Sequence, residues 1–101
     1  MQYLVIEETR NGHLLGVSIA VGSTKQNART VLNILSQEEE PPTVFSGVAW
    51  HTSQAAAQAD ASARVPDNAA PVPVLGYTNN TIEPRDPVTL HRLEREERMR
   101  A

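Results

Sequence analysis

The chain contains no cysteine. That absence excludes a disulfide framework, a Cys-based zinc site and a thiol nucleophile together, and it suits a reducing compartment such as the cytoplasm. Aromatic residues are nearly as scarce. Tyr3, Phe45, Trp50 and Tyr77 are all there are, so the core must rest on Val, Leu, Ile and Ala. Basic residues are not in excess: the formal charge is −3 at pH 7, and neither half of the chain offers the basic face that a phosphate backbone requires, which argues against direct nucleic-acid binding. No apolar run approaches the roughly 20 residues of a membrane span, and the start "MQYLVIEE" lacks the basic-then-apolar pattern of a signal peptide, so neither membrane insertion nor export is expected. With 101 residues the chain suits one small domain, 1–101. Its limited core makes self-association, most simply as a homodimer, a plausible supplement.

Clustered chemistry is missing too. His13, His51 and His91 are dispersed along the chain, with no spacing that would assemble a metal site locally. Glu7 and Glu8 point to opposite sides of an alternating strand, and Glu38 to Glu40 read as a solvated charge run. Ser18, Ser23 and Ser46 lack a G-x-S-x-G setting. The expectation is therefore a protein with no catalytic residues, no metal and no cofactor.

What is present begins with "QYLVIEETRNGHLLGVSIAV". Asn11-Gly12 between two β-rich runs predicts a two-residue type I′ hairpin. In that register Arg10 faces His13, Leu4 faces Ile19 and Ile6 faces Val17, which gives one aliphatic face. The other face, with Tyr3, Val5, Leu14 and Ser18, is mixed and is expected to meet solvent or a partner. A helix over 24–37 follows, started by a Ser23/Gln26 capping box. Its stripe of Ala28, Val31, Leu32 and Leu35 is expected to lie on the Leu4/Ile6/Val17/Ile19 face. The helix start Ser23, Thr24 and Lys25 is also the candidate anion-binding site, since a first helical turn offers unpaired N–H groups and a positive dipole end.

After Pro41-Pro42, "TVFSGVAWH" predicts a third strand, apolar enough on both faces to be central. Its end, Trp50-His51, is a candidate binding anchor. Residues 52–73 are rich in Ala and Pro and read as a helix to about Arg64, capped by Thr52 or Ser53, or as a flexible linker. "VLGYT" at 74–78 suggests a short strand, "NNTIEPRDP" a loop, and "PVTLHRLEREERMRA" a charged last helix with Leu90 and Leu93 as its narrow apolar stripe.

"MQYLVIEETRNG" followed by "GSTKQNARTVLNIL" resembles the N-terminal module of HicB-type antitoxins, through Tyr3, Val5, Glu7, Gly12, Gly22, Thr24 and Ala28. The resemblance covers about the first 35 residues and is one of hairpin-plus-helix design; it implies a module that binds and restrains another protein.

Together these readings predict an α+β fold: a small antiparallel sheet of three or four strands, hairpin first, packed on one main helix. The function expected is a non-catalytic interaction module that inhibits or regulates another protein, antitoxin-like or phage-type, with Tyr3, Val5, Leu14, Trp50, His51, Leu90 and Leu93 as candidate contact residues. The alternative is a small-molecule or nucleotide-like anion binder using Ser23, Thr24 and Lys25.

Overall fold

The structure, a computed structural model, describes residues 1–38, 42–65, 72–78 and 81–84. The expected last helix, with Leu90 and Leu93, lies outside the described residues. The chain runs β1 (Gln2–Arg10), β2 (His13–Gly22), α1 (Lys25–Glu38), β3 (Thr43–His51), α2 (Gln54–Arg64), β4 (Val74–Thr78) and β5 (Thr81–Pro84). The fold is α+β, as expected, but the sheet has five strands in the order β3-β1-β2-β4-β5 and is mixed: β2 and β4 run parallel, and the other neighbours are antiparallel. "TIEP", read as loop, forms β5, with Ile82 packed against the α1 side of the core. Pro84 is tolerated because it ends an edge strand.

The turn forms where Asn11-Gly12 predicts it. Asn11 has φ 52 and Gly12 φ 81, the two positive values that a type I′ centre needs. Arg10 pairs with His13 and Thr9 with Leu14, but the register then shifts, and Glu8 pairs with Gly16. Leu15 is the extra residue of this bulge and is 55% exposed. Every pair beyond it therefore changes face: Leu4 meets Ala20 and Val5 meets Ile19, instead of Leu4 meeting Ile19.

No face of the hairpin is left wet, because both are covered by helices. Leu4, Ile6 and Ala20 pack with Ala28 and Val31 of α1. Val5, Val17, Ile19 and Val21 pack with Ala57 and Ala61 of α2, together with Val74. The reason lies in the connections. β2 and β3 both oppose β1, so they are parallel; α1 crosses from β2 to β3, and α2 crosses back from β3 to β4. Crossovers of one hand that travel in opposite directions must use opposite faces of a sheet. Consecutive apolar residues at Leu4-Val5-Ile6 and Ile19-Ala20-Val21, rather than strict alternation, are the sequence counterpart of that two-sided burial.

α1 carries the predicted stripe, with Ala28 and Val31 fully buried and Leu32 and Leu35 packed beside them, although on Leu4, Ile6 and Ala20 rather than on Val17 and Ile19. Its cap is one residue later than the Ser23/Gln26 box. Thr24 Oγ1 accepts from the Asn27 N–H at 3.1 Å, and Asn27 Nδ2 donates to Ser23 Oγ at 2.9 Å. A cap of this kind contributes about 1 kcal/mol. Gly22 precedes it, and a Cβ there would stand 2.6 Å from the Ala28 backbone nitrogen and 2.7 Å from Asn27 Cβ.

The 52–73 segment is helical over Gln54–Arg64, with Ser53 as cap. Its anchor is a pair of alanines one turn apart, Ala57 and Ala61, both fully buried. Small side chains let this helix lie close against β1 and β2. β3, expected to be central, is the sheet edge. It also bulges, since Val5 pairs with Ala49 and Ile6 with Gly47, leaving Val48 as the extra residue.

Candidate functional site

The parallel strands β2, β3 and β4 end at one side of the molecule, and α1 and α2 both start there. Carboxyl ends of strands beside helix starts are where open sheets form crevices. A cleft of about 490 Å³ lies at this end, between Tyr3, Tyr77 and Gly22, with Ser23, Asn27 and Gln54 supplying polar groups. Among the described residues no Asp, Glu, Lys or Arg lines it. Beside it, a shallower hollow of about 420 Å³ is lined by Gln2, Lys25, Trp50, His51, Thr52 and Ala56.

The candidate anion residues are thus divided. Ser23 lines the cleft, Lys25 lines the hollow, and the Thr24 hydroxyl is engaged by the Asn27 N–H. Lys25 Nζ sits 5.4 Å from the centroid of the Trp50 ring and Arg29 Cζ 5.7 Å, both within cation–π range. Trp50 is half-buried against the α1 side of the core, so its ring is clasped between the core and two cations.

His51 faces the other way, toward α2. Its Nε2 lies 2.8 Å from Asp60 Oδ2; Arg64 Nε donates to Asp60 Oδ1 at 2.9 Å, and Arg64 Nη1 reaches Glu7 Oε2 at a looser 3.4 Å. A carboxylate only accepts, so Nε2 is the nitrogen that carries the proton. The network ties β3 to α2 and α2 to β1. The hydrogen bond from His51, then that from Arg64, holds the Asp60 carboxyl below its ordinary value, while burial opposes them. The same contact with Asp60 raises Arg64.

A depressed carboxylate stabilises the fold above its unfolded pKa, and that contribution is lost as the pH falls through the folded value. The parent melting temperature is therefore expected to fall on acidification between about pH 5 and 2, more steeply than that of Asp60→Asn. Thermal unfolding at a series of pH values checks this, and equal slopes for the two proteins would remove the network from acid stability.

Of the other predicted contact residues, Tyr3 is half-buried at the mouth of the cleft, and Leu14 is half-buried against the α2 side of the core. Val5 is fully buried under α2, so its side chain lies inside the protein and offers nothing to a partner. Leu90 and Leu93 fall outside the described residues. The polar network was missed at the sequence level. The i,i+4 spacing of Asp60 and Arg64 was visible, but their meeting with His51 and Glu7 depends on the fold. Also missed were Val44 and Val48, exposed at 52% and 36% on the β3 edge. Among the described residues no group of three or more His, Cys, Asp or Glu is placed to hold a metal, and no helix is long and apolar enough to cross a membrane. Comparison of the chain with protein-family models, with curated proteins and with solved structures gives no match.

Proposed function

We propose that the chain is a non-catalytic protein-interaction module, an inhibitor or regulator of another protein in a reducing cytoplasm, and that its docking element is the β3 edge. One observation carries this reading. β3 is nine residues long, contains no charged residue and no proline, and among the described residues pairs with β1 alone. Edge strands are ordinarily blunted by charge, proline or brevity. The opposite edge, β5, has all three, with Glu83 and Pro84 in a strand of four residues. An edge free of charge and proline, with a single bulge at Val48, offers main-chain hydrogen bonds to an added strand on either side of that bulge. Val44 and Val48 flank it as exposed apolar contacts. The His51 ring, the nearest approach to a catalytic base, is held by Asp60 with no hydroxyl hydrogen-bonded to it among the described residues.

The test is capture from the native cell on the immobilised parent and on Val44→Lys, a change at an exposed position. A protein retained by the parent and lost by at least about tenfold with the variant is the expected result; a lysine on an edge strand is a natural block to pairing. Equal retention by both would overturn the β3 reading.

The cleft between Tyr3 and Tyr77, with Ser23, Asn27 and Gln54 as its polar groups, favours a second reading, a small polar ligand held where the two helices start. A thermal-shift screen with phosphate, nucleotides and nucleosides tests it. A ligand at 100 times its dissociation constant adds about 2.7 kcal/mol, and no shift with any of them would remove this reading.

A further inference from the structure

We infer that the strand received by the β3 edge is the β3 of a second copy, the two chains meeting antiparallel about a two-fold axis between Gly47 and Val48. This rests on the reading of β3 as a docking strand and names its occupant.

The bulge at Val48 selects the occupant. Before Val48, Phe45 and Gly47 lie on the α1 side of the sheet, opposite Glu8 and Ile6, while Val44 and Ser46 lie on the α2 side, opposite Thr9 and Glu7. After Val48 the alternation is shifted: Trp50 is on the α1 side, and Ala49 and His51 are on the α2 side. A regular strand follows β3 across the break only by leaving Val48 unopposed, as β1 does. A second copy carries the same break. With the axis between Gly47 and Val48 the two breaks fall opposite each other, and the phases match from Val44 to His51. Phe45 then faces Trp50 of the second copy on the α1 side. On the α2 side Ser46 faces Ala49, and Val44 faces His51. Such cross-strand pairs are the unit of sheet stabilisation.

Charge points the same way. In an isologous contact a charge near the axis meets its own copy, and although the chain carries −3 overall, β3 contains no Asp, Glu, Lys or Arg. Self-pairing also closes the edge, so a target that uses β3 must compete with dimerisation.

Sedimentation equilibrium of the full chain, with Val48→Lys and Ser46→Cys/Ala49→Cys beside it, tests the inference. The parent is expected to reach twice its 11.1 kDa mass as concentration rises. Val48→Lys, which sets two lysines beside the axis, is expected to stay monomeric at the same concentrations. The double cysteine variant of this cysteine-free chain is expected to give a covalent dimer on oxidation. Within one strand those positions stand about 10 Å apart, beyond the roughly 7 Å reach of a disulfide, so the bond must join two copies. A parent dimer that survives Val48→Lys and leaves the cysteines unbridged would overturn the inference. A parent that stays monomeric overturns it as well, and hydrogen exchange then separates two cases: fast β3 amides leave the edge open to a foreign strand, whereas protected amides mean that the chain covers its own edge, which ends the docking reading too.

Discussion

Ile6→Ala is expected to lower the unfolding free energy by about 2–5 kcal/mol, the range for truncating a large buried aliphatic side chain. Ile6 has no exposed surface and sits on β1, with β2 on one side and β3 on the other. It packs beneath α1 with Leu4, Ala20, Ala28 and Val31. Truncation removes its buried methyl groups and leaves a void that three neighbouring elements must close at once, which favours the upper part of the range. A domain of this size has about 5–15 kcal/mol in total, so the loss is a large share. Urea unfolding of the parent and the variant measures it. Leu15→Ala, at a position 55% exposed, is the control and should change stability by less than about 0.5 kcal/mol. If Ile6→Ala behaved like that control, the packing of α1 on β1 described above would be wrong.

Gly22→Ala is expected to cost about 1–3 kcal/mol or more, although it adds a single methyl group. The reason is the identity of the obstacle. The new Cβ would lie 2.6 Å from the Ala28 nitrogen and 2.9 Å from the Asn27 carbonyl carbon. These are backbone atoms of the first turn of α1 and cannot rotate aside as a side-chain tip can. Relief requires the helix start to move, and that movement loosens the Thr24 cap and the seating of Ala28 together. Urea unfolding reads the cost, and hydrogen exchange should show the Asn27 and Ala28 amides losing protection before the rest of the fold. Unchanged stability would mean that the junction between β2 and α1 is not as tight as the geometry states.

How much of this was legible in the sequence depended on whether the cause was local. The Asn11-Gly12 turn was readable because positive φ at two successive residues is a demand of the turn itself. The α1 stripe was readable because helical periodicity repeats over several turns, and Gln54–Arg64 was readable as a helix from propensity and a serine cap. The bulges at Leu15 and Val48 were not readable, since each reconciles a local pairing with the need to bury both faces of β1. The assumption of one wet face failed for the same reason: nothing within the hairpin says that a second helix will return from β3 to cover Val5 and Ile19. β5 escaped notice because Ile82 becomes a strand residue only once it pairs with Tyr77 of β4 and packs with Leu75 against the same side of the core. At the candidate site, the sequence joins Trp50 and His51 as one candidate anchor, whereas the fold turns them apart. Their separate surroundings, the cations of α1 for one and Asp60 of α2 for the other, follow from the opposite faces that neighbouring strand residues occupy.

The bulge at Leu15 has a bearing on how the gene can change length. Because the pairing of Arg10 with His13 and the pairing of Val5 with Ile19 differ by one step, Leu15 is the place where the hairpin absorbs an odd residue. Losing it would merely regularise the ladder, leaving both the turn and the buried pairs where they are. Losing Ile19 instead would turn its neighbours over as the bulge took up the gap, bringing Ser18 to the side of α2 and Val17 to the side of α1. Single-codon deletions should therefore be survivable at this one position of β2 and ruinous a few codons downstream, a sharp contrast within one strand that no ranking of residues by hydrophobicity would reproduce.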